Sequence, residues 1–249
     1  MSTIKANTIQ PNTTSTLTII GLDGWVSANE TWTYSSSDDP VYVITVPSGA
    51  ASRYTLGWRV KLTDVTVKYF IIVAISDTTL TLYGGTDYDL TGGSITLNYV
   101  SPMKVPMGFP ASPTKWTVEV TDTSSRSQGS PGAGTWYNAG SITISIPIGI
   151  WYTSYKCHSQ YTEASTGGNS LFTTLSTASD SESDVDMTCR FYGYSASSYG
   201  SSAFCYKYIS AVSKTSYYLN IKTADGGVDT IYIRGDVEKT IIRAVCAYL

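Results

Sequence analysis

The sequence predicts an all-β protein, and three observations carry that expectation. The 249 residues include 34 Ser, 35 Thr and 20 Tyr, while only 14% are charged. That balance favours residues that pack on a pleated surface. Polar and apolar residues alternate with a period of two in many short runs, and Gly, Asp, Asn and Pro punctuate those runs at close intervals. No stretch carries a convincing 3.6-residue apolar period, so almost no helix is expected. The same composition argues against other classes. A disordered chain would lack the aromatics, a helical bundle would be rich in Ala, Glu, Lys and Leu, and a binder of nucleic-acid phosphates would be basic, whereas the net charge here is −3. The longest apolar run, Tyr69–Ile75, is far short of a membrane-spanning helix. Neither nucleic acid nor membrane insertion is therefore expected.

From the N-terminus, Met1–Ile20 is Thr/Asn-rich with sparse apolar residues and no hydrophobic leader, and 1–31 as a whole is expected to be an extended arm. A segment of this kind can dock by adding a strand to a partner's sheet. Residues 32–100 are expected to form a small β-barrel or sandwich. Val41–Val46 is β-branched and ends at Pro47. Leu56–Thr63 places Leu56, Trp58, Val60 and Leu62 on one face and Arg59 and Lys61 on the other. Val67–Ile75 is continuously apolar, as expected of a strand buried on both faces. Thr78–Tyr83 and Ser94–Val100 complete the set, separated by Gly84–Gly85 and the turn Asp89–Gly93. Residues 101–114 carry Pro102, Pro106, Pro110 and Pro113 and predict a stiff linker.

Residues 115–249 predict an antiparallel jelly roll or a related sandwich. Lys115–Asp122 alternates cleanly, and Ser124–Gly134 reads as a loop. Strands are expected at Ser141–Ile146, Gly149–Cys157, Leu171–Ser176, Val185–Tyr194, Ala203–Val212, Ser216–Thr223, Val228–Arg234 and Thr240–Leu249.

The residues offer little for catalysis, and no catalytic site, cofactor or enzymatic activity is expected. His158 is the only histidine, so a Ser–His–Asp triad or a two-His metal site would have to be built around it. Cys157, Cys189, Cys205 and Cys246 lack CxxC spacing and read as reduced thiols in strands. Asp180, Glu182, Asp184 and Asp186 alternate along one run. They read as a solvated acidic loop, with a Ca²⁺ site as the alternative. A surface-polysaccharide hydrolase would need a carboxyl pair in a groove. Asp87, Asp89, Glu119 and Asp122 are the available groups.

The most suggestive segment is Arg190–Tyr208, RFYGYSASSYGSSAFCYKY. Tyr offers large contact area at low entropic cost, and Ser and Gly offer adaptable hydrogen bonding. Tyr192, Tyr194, Tyr199 and Tyr206 are therefore candidates for ligand or receptor binding; the alternative is that these rings line a subunit seam or cover the sandwich.

Several stretches also resemble tail and fibre proteins of tailed bacteriophages: MSTIKANTIQP at the start, the run from Asp38 to Tyr99, and MGFPASPTKWTVEVTDTSSRSQ at Met107–Gln128. The closing YYLNIKTADGGVDTIYIRGD and IIRAVCAYL resemble the last strands of TNF-like or C1q-like trimeric jelly rolls. The resemblance implies a virion structural protein, assembled as a homotrimer in the bacterial cytoplasm. It docks to other virion proteins through the arm (Ile4, Lys5, Ile9, Pro11) and presents C-terminal loops to a host cell-surface glycan or protein. It also implies a trimer seam near the last strand, with Ile242, Val245, Tyr248 and Leu249 as candidates. The alternative within the same class is an architectural adaptor, collar or decoration protein that binds no receptor.

Overall fold

The computed structural model describes residues 22–163, 167–195 and 197–249. Nearly all regular structure in it is antiparallel β; the helical pieces among the described residues are Ala50–Arg53 (α1) and the single turns Pro113–Trp116 and Val185–Met187.

The first unit is one seven-stranded sheet. Its strands are β1 (Val26–Ser27), β2 (Thr33–Asp38), β3 (Val41–Thr45), β4 (Arg59–Asp64), β5 (Thr66–Ile75), β6 (Thr79–Tyr83) and β7 (Thr96–Ser101), in the order β1-β7-β4-β5-β6-β3-β2. Among the described residues no pairing joins β1 to β2, so the strand path of the expected barrel or sandwich does not close into a barrel. One face carries Tyr42, Ile44, Val60, Leu62, Phe70, Ile72, Leu80 and Leu82 into a core that Trp32, Tyr54, Leu90 and Ile95 complete from the connections. Along β5 the residues Phe70 to Val73 are all buried, and they divide between two cores. Phe70 and Ile72 belong to the first unit's core, whereas Ile71 and Val73 face the core of the second unit. The uninterrupted apolar run reflects this burial on both faces.

The segment expected to be an arm is in part structural. Val26 and Ser27 pair with Val100 and Tyr99, and Trp25 is buried. Burying a large indole offsets part of the cost of ordering this backbone. The proline-rich linker is likewise packed. The Phe109 ring stacks on Trp116 with centroids 5.1 Å apart and planes 4° apart, and Met107 accepts a hydrogen bond from the Trp25 indole. Proline excludes this segment from the sheet, yet the apolar residues between the prolines still bury themselves.

The second unit contains β8 (Thr117–Asp122), β9 (Ser125–Gly129), β10 (Thr143–Ile146), β11 (Gly149–Glu163), β12 (Gly167–Ser176), β13 (Thr188–Ser195), β14 (Ser198–Ala211), β15 (Thr215–Thr223), β16 (Val228–Arg234) and β17 (Thr240–Cys246). Strand β9 lies within the stretch expected to be a loop; its Ser-rich run pairs with β16 from Thr230 to Arg234. One sheet is β10-β15-β12-β13 and the other β8-β17-β11-β16-β9, with β14 on the remaining side of β11. Taking β8/β9 and β16/β17 each as one broken strand, the eight strands A to H form the sheets A-H-C-F and B-G-D-E, the jelly-roll arrangement. Burial alternates without interruption along the fifteen residues of β11. Trp151, Tyr155, Cys157 and Tyr161 point into the sandwich, and Tyr152, Ser154, Lys156 and His158 point out of it.

The two units share packing. Arg59, on β4, is 1% exposed and reaches the second unit. Its guanidinium donates to the carbonyls of Gly57, Lys104 and Tyr248 and lies 5.1 Å from the centre of the Phe109 ring. At the same junction the Tyr83 and Trp151 rings meet edge to face at 4.9 Å.

Candidate functional site

The four tyrosines expected to form one recognition surface do not share a face. Tyr192 and Tyr194 lie on β13, the edge strand of the four-stranded sheet, and are 61% and 68% exposed. Their outward-facing neighbours include Arg190, which donates to the Ser170 hydroxyl, and the Tyr192 ring lies over Gly168. Tyr199 is half-buried and turns inward, where it packs against Tyr161 and Phe191. Tyr206 lies on β14 and faces outward from the opposite sheet. Period-two alternation and the change of sheet between β13 and β14 separate these residues.

What the structure assembles instead is an aromatic stripe on the outer face of the six-stranded sheet. Phe204, Tyr206 and Tyr208 follow one another at alternate positions of β14 and are 58%, 57% and 65% exposed. Tyr152 of β11, which pairs with Tyr208 of β14, lies 5.5 Å from Tyr206 and 5.3 Å from Tyr208. The Phe204 and Tyr206 rings are 6.0 Å apart. The stripe continues across the sheet by register: Tyr152 is opposite Val245, Ser154 opposite Arg243 and Lys156 opposite Ile241. The alternation F-x-Y-x-Y at 204–208 was the available sequence signal. Its contact with Tyr152, about fifty positions earlier, depends on the β11–β14 register and is not legible locally.

Polar groups border the stripe. Glu238 accepts from the Ser202 hydroxyl at 2.5 Å and pairs with Lys156 at 2.9 Å. Both contacts hold its carboxyl below the usual carboxylate range, more than offsetting its burial. His158 pairs with Ser202 in the strand register and leans over Gly200. Because the Ser202 hydroxyl is bonded directly to Glu238, the three groups lack the serine-to-histidine hydrogen bond of a nucleophilic triad.

The candidate seam residues also divide. Ile242 is fully buried inside its own subunit and cannot line a seam, because β17 turns Ile242 and Ala244 toward the sandwich core. Tyr248 packs over Gly57 at the junction of the two units, and Leu249 is half-buried against the main core. Val245 remains on the outer face. It helps line a cleft of about 720 Å³ between the units, with Asp39, Thr86, Glu119, Ser145 and Arg243. The arm candidates Ile4, Lys5, Ile9 and Pro11 lie outside the described residues.

The acidic run does not gather around a common point. Asp180 accepts from the Asn138 N–H, Glu182 from the Thr188 hydroxyl, and Asp184 and Asp186 share Lys207 at 2.7 and 2.8 Å. No cluster of three metal-ligating groups occurs among the described residues. The carboxylates available to a hydrolase are each engaged by another partner. Asp87 pairs with Lys115, Asp89 accepts from the Tyr42 hydroxyl at 2.6 Å, Glu119 pairs with Arg243 at 2.5 Å, and Asp122 pairs with Arg126 at 2.7 Å.

No protein-family model and no curated protein sequence matches the chain. Among solved structures, the dimeric latent PorU of Porphyromonas gingivalis superposes at a TM-score of 0.31 and 12% identity, over 89% of this chain and 24% of that one. The VP2 subviral particle of infectious bursal disease virus superposes at a TM-score of 0.29 and 14% identity, over 86% of this chain and 61% of that one. The Gt strain of the same virus gives a TM-score of 0.27 at 14% identity, over 89% and 60% of the respective chains. The chain thus spans about a quarter of the first protein and about three fifths of the other two. At these scores the likenesses carry no argument about function.

Proposed function

We propose that this protein is a non-enzymatic structural component of a tailed-phage virion. It assembles as a homotrimer through the outer face of its six-stranded sheet and leaves Tyr192 and Tyr194 outward for contact with a host-surface glycan or protein. The observation that carries the assembly reading is the stripe of Tyr152, Phe204, Tyr206 and Tyr208. Large contiguous exposed apolar patches are uncommon on soluble monomers and mark interaction surfaces. Tyr and Phe are enriched where such surfaces become buried. The jelly-roll strand order and the phage-like sequence stretches support the same class. A trimer that carries one weak recognition site per subunit gains avidity from each additional site engaged.

Sedimentation and light scattering of the purified chain test the assembly. The expected result is a trimer at micromolar concentration, and a folded monomer for the triple variant Phe204→Ser, Tyr206→Ser, Tyr208→Ser. A monomeric wild-type chain overturns the homotrimer. A chain that trimerises only with another virion protein favours the adaptor reading. Recognition is tested by competition for adsorption to susceptible cells. Wild-type protein in excess should block infection, and Tyr192→Ala with Tyr194→Ala should not. Failure of the wild type to bind any susceptible cell overturns the recognition role.

A further inference from the structure

We propose that Cys189 and Cys205 are a redox pair that closes into an inter-sheet disulfide on the β13–β14 side of the sandwich. The register of both sheets places them opposite each other. On one sheet Tyr155 of β11 pairs with Cys205, and on the other Thr173 of β12 pairs with Cys189. The Tyr155 hydroxyl crosses the sandwich and donates to the Thr173 carbonyl at 2.8 Å, so both pairs lie at one level. The two cysteines sit one strand further out, Cys189 on β13 and Cys205 on β14.

The sulfur contacts agree with this placement. Cys189 Sγ donates to the carbonyl of Phe204 at 3.2 Å, and that carbonyl immediately precedes Cys205. Covalent geometry then keeps the Cys189 sulfur within about 6 Å of the Cys205 Cα, a reach compatible with disulfide-linked cysteines. Cys205 Sγ donates to the carbonyl of Asp186 at 3.2 Å, three positions before Cys189. Both side chains are half-buried and open to a small reagent, whereas Cys157 and Cys246 are buried. Burial pushes the Cys157 thiol up to about 12 and the Cys205 thiol up to about 11, so accessibility rather than acidity sets the pair apart from Cys157.

With oxidised glutathione as the oxidant, one cysteine thiolate attacks the glutathione disulfide. One glutathione thiolate leaves, and a protein–glutathione mixed disulfide remains. The second cysteine thiolate then attacks the protein sulfur of that disulfide and releases the second glutathione. Two protein thiols are oxidised, one glutathione disulfide is reduced to two thiols, and the two displaced glutathione thiolates take up the protons. The closed loop would carry Tyr192, Tyr194 and Tyr199, tying the presentation of these rings to redox state. The inference stands apart from the oligomer and from the virion assignment.

The test incubates the full chain with oxidised glutathione, blocks remaining thiols and digests without reduction. Trypsin separates Cys205 from Cys189, but leaves Cys157 on the Cys189 peptide, so fragment spectra must place the link. The expected product joins Cys189 to Cys205 and raises Tm by about 6–12 °C, reversibly with dithiothreitol. Cys189→Ser should melt like the reduced wild type and show no oxidative rise, and Cys157→Ala should still form the link. A link through Cys157, persistent glutathione adducts without closure, or unreacted Cys189 and Cys205 would each overturn the proposal.

Discussion

Arg59 and Tyr248 lie 189 positions apart in the chain, yet the guanidinium of the first donates to the main-chain carbonyl of the second at 2.7 Å. The contact joins the first sheet to the end of the jelly roll. Burial lowers the Arg59 pKa from its ordinary value, and a guanidinium keeps its charge in proteins. Its partners are carbonyls and an aromatic face, so the charge is stabilised by dipoles rather than by a carboxylate.

Removing that cation should therefore expose the dependence of one unit on the other. Arg59→Ala should cost about 3–5 kcal/mol, because it leaves carbonyls without donors and a cavity beside Phe109. Arg59→Lys should recover only part of this, since an ammonium cannot reproduce the planar fork. Urea denaturation of the three proteins checks the order.

Gly85 provides a steric test of the junction. Its φ is +66°, and a Cβ placed there would lie 2.1 Å from the Lys115 carbonyl oxygen. That carbonyl also accepts from the Thr86 N–H at 3.0 Å, so the two backbones cannot separate without losing a hydrogen bond. Gly85→Ala should destabilise by about 2–4 kcal/mol, more than the loss of glycine's backbone freedom alone would explain. Thermal melting of the variant measures it.

Asp64 gives stability an acid dependence. Burial pushes its carboxyl up, but the Thr91 N–H, the Thr91 hydroxyl and Lys68 outweigh burial and leave the carboxyl below its ordinary value. A depressed folded-state pKa binds protons less readily than the unfolded chain does. Its stabilisation is therefore complete above about pH 4 and is lost as the pH falls through the folded value. Asp64→Asn should cost about 1–3 kcal/mol at neutral pH and flatten the loss of stability in acid. Asp122, held low by Arg126 and the Ser124 N–H against its own burial, should preserve part of the slope. Denaturation at neutral pH and at about pH 3 separates the two contributions.

Tyr155→Phe deletes the hydroxyl's contacts with the Thr173 carbonyl at 2.8 Å and the Thr173 hydroxyl at 3.2 Å while keeping the ring. It should cost about 1–2 kcal/mol and leave the strand pattern intact. Circular dichroism with urea denaturation reads both effects.

Much of the second unit was legible from alternation alone. Val228–Arg234 is a strand over the expected residues, whereas β11 starts at the expected Gly149 but runs on to Glu163, and β14 starts at Ser198, before the expected Ala203. The low charge and absent helical period likewise pointed to the all-β class. Strand β9 was not legible, because Ser125–Gly129 has no apolar residue and gains its structure from β16. Arg59 was recognisable as opposite in face to Val60 and Leu62, but its burial depends on a second sheet that the local pattern cannot announce. The same limit applied to the binding candidates. Tyr192, Tyr199 and Tyr206 are close in sequence, and only the fold shows that one points inward while the other two leave by opposite sheets.

Strand β5 has a thermodynamic consequence. Alternate residues of one continuous backbone segment serve two cores, so displacing Phe70 or Ile72 also disturbs the seats of Ile71 and Val73. Neither unit can lose this strand and leave the other intact. Unfolding should accordingly be cooperative across both units, with a single heat-capacity peak whose calorimetric and van't Hoff enthalpies agree when melting is reversible. Among the three sheets of the described residues, β5 makes damage to either core a common event rather than a local one.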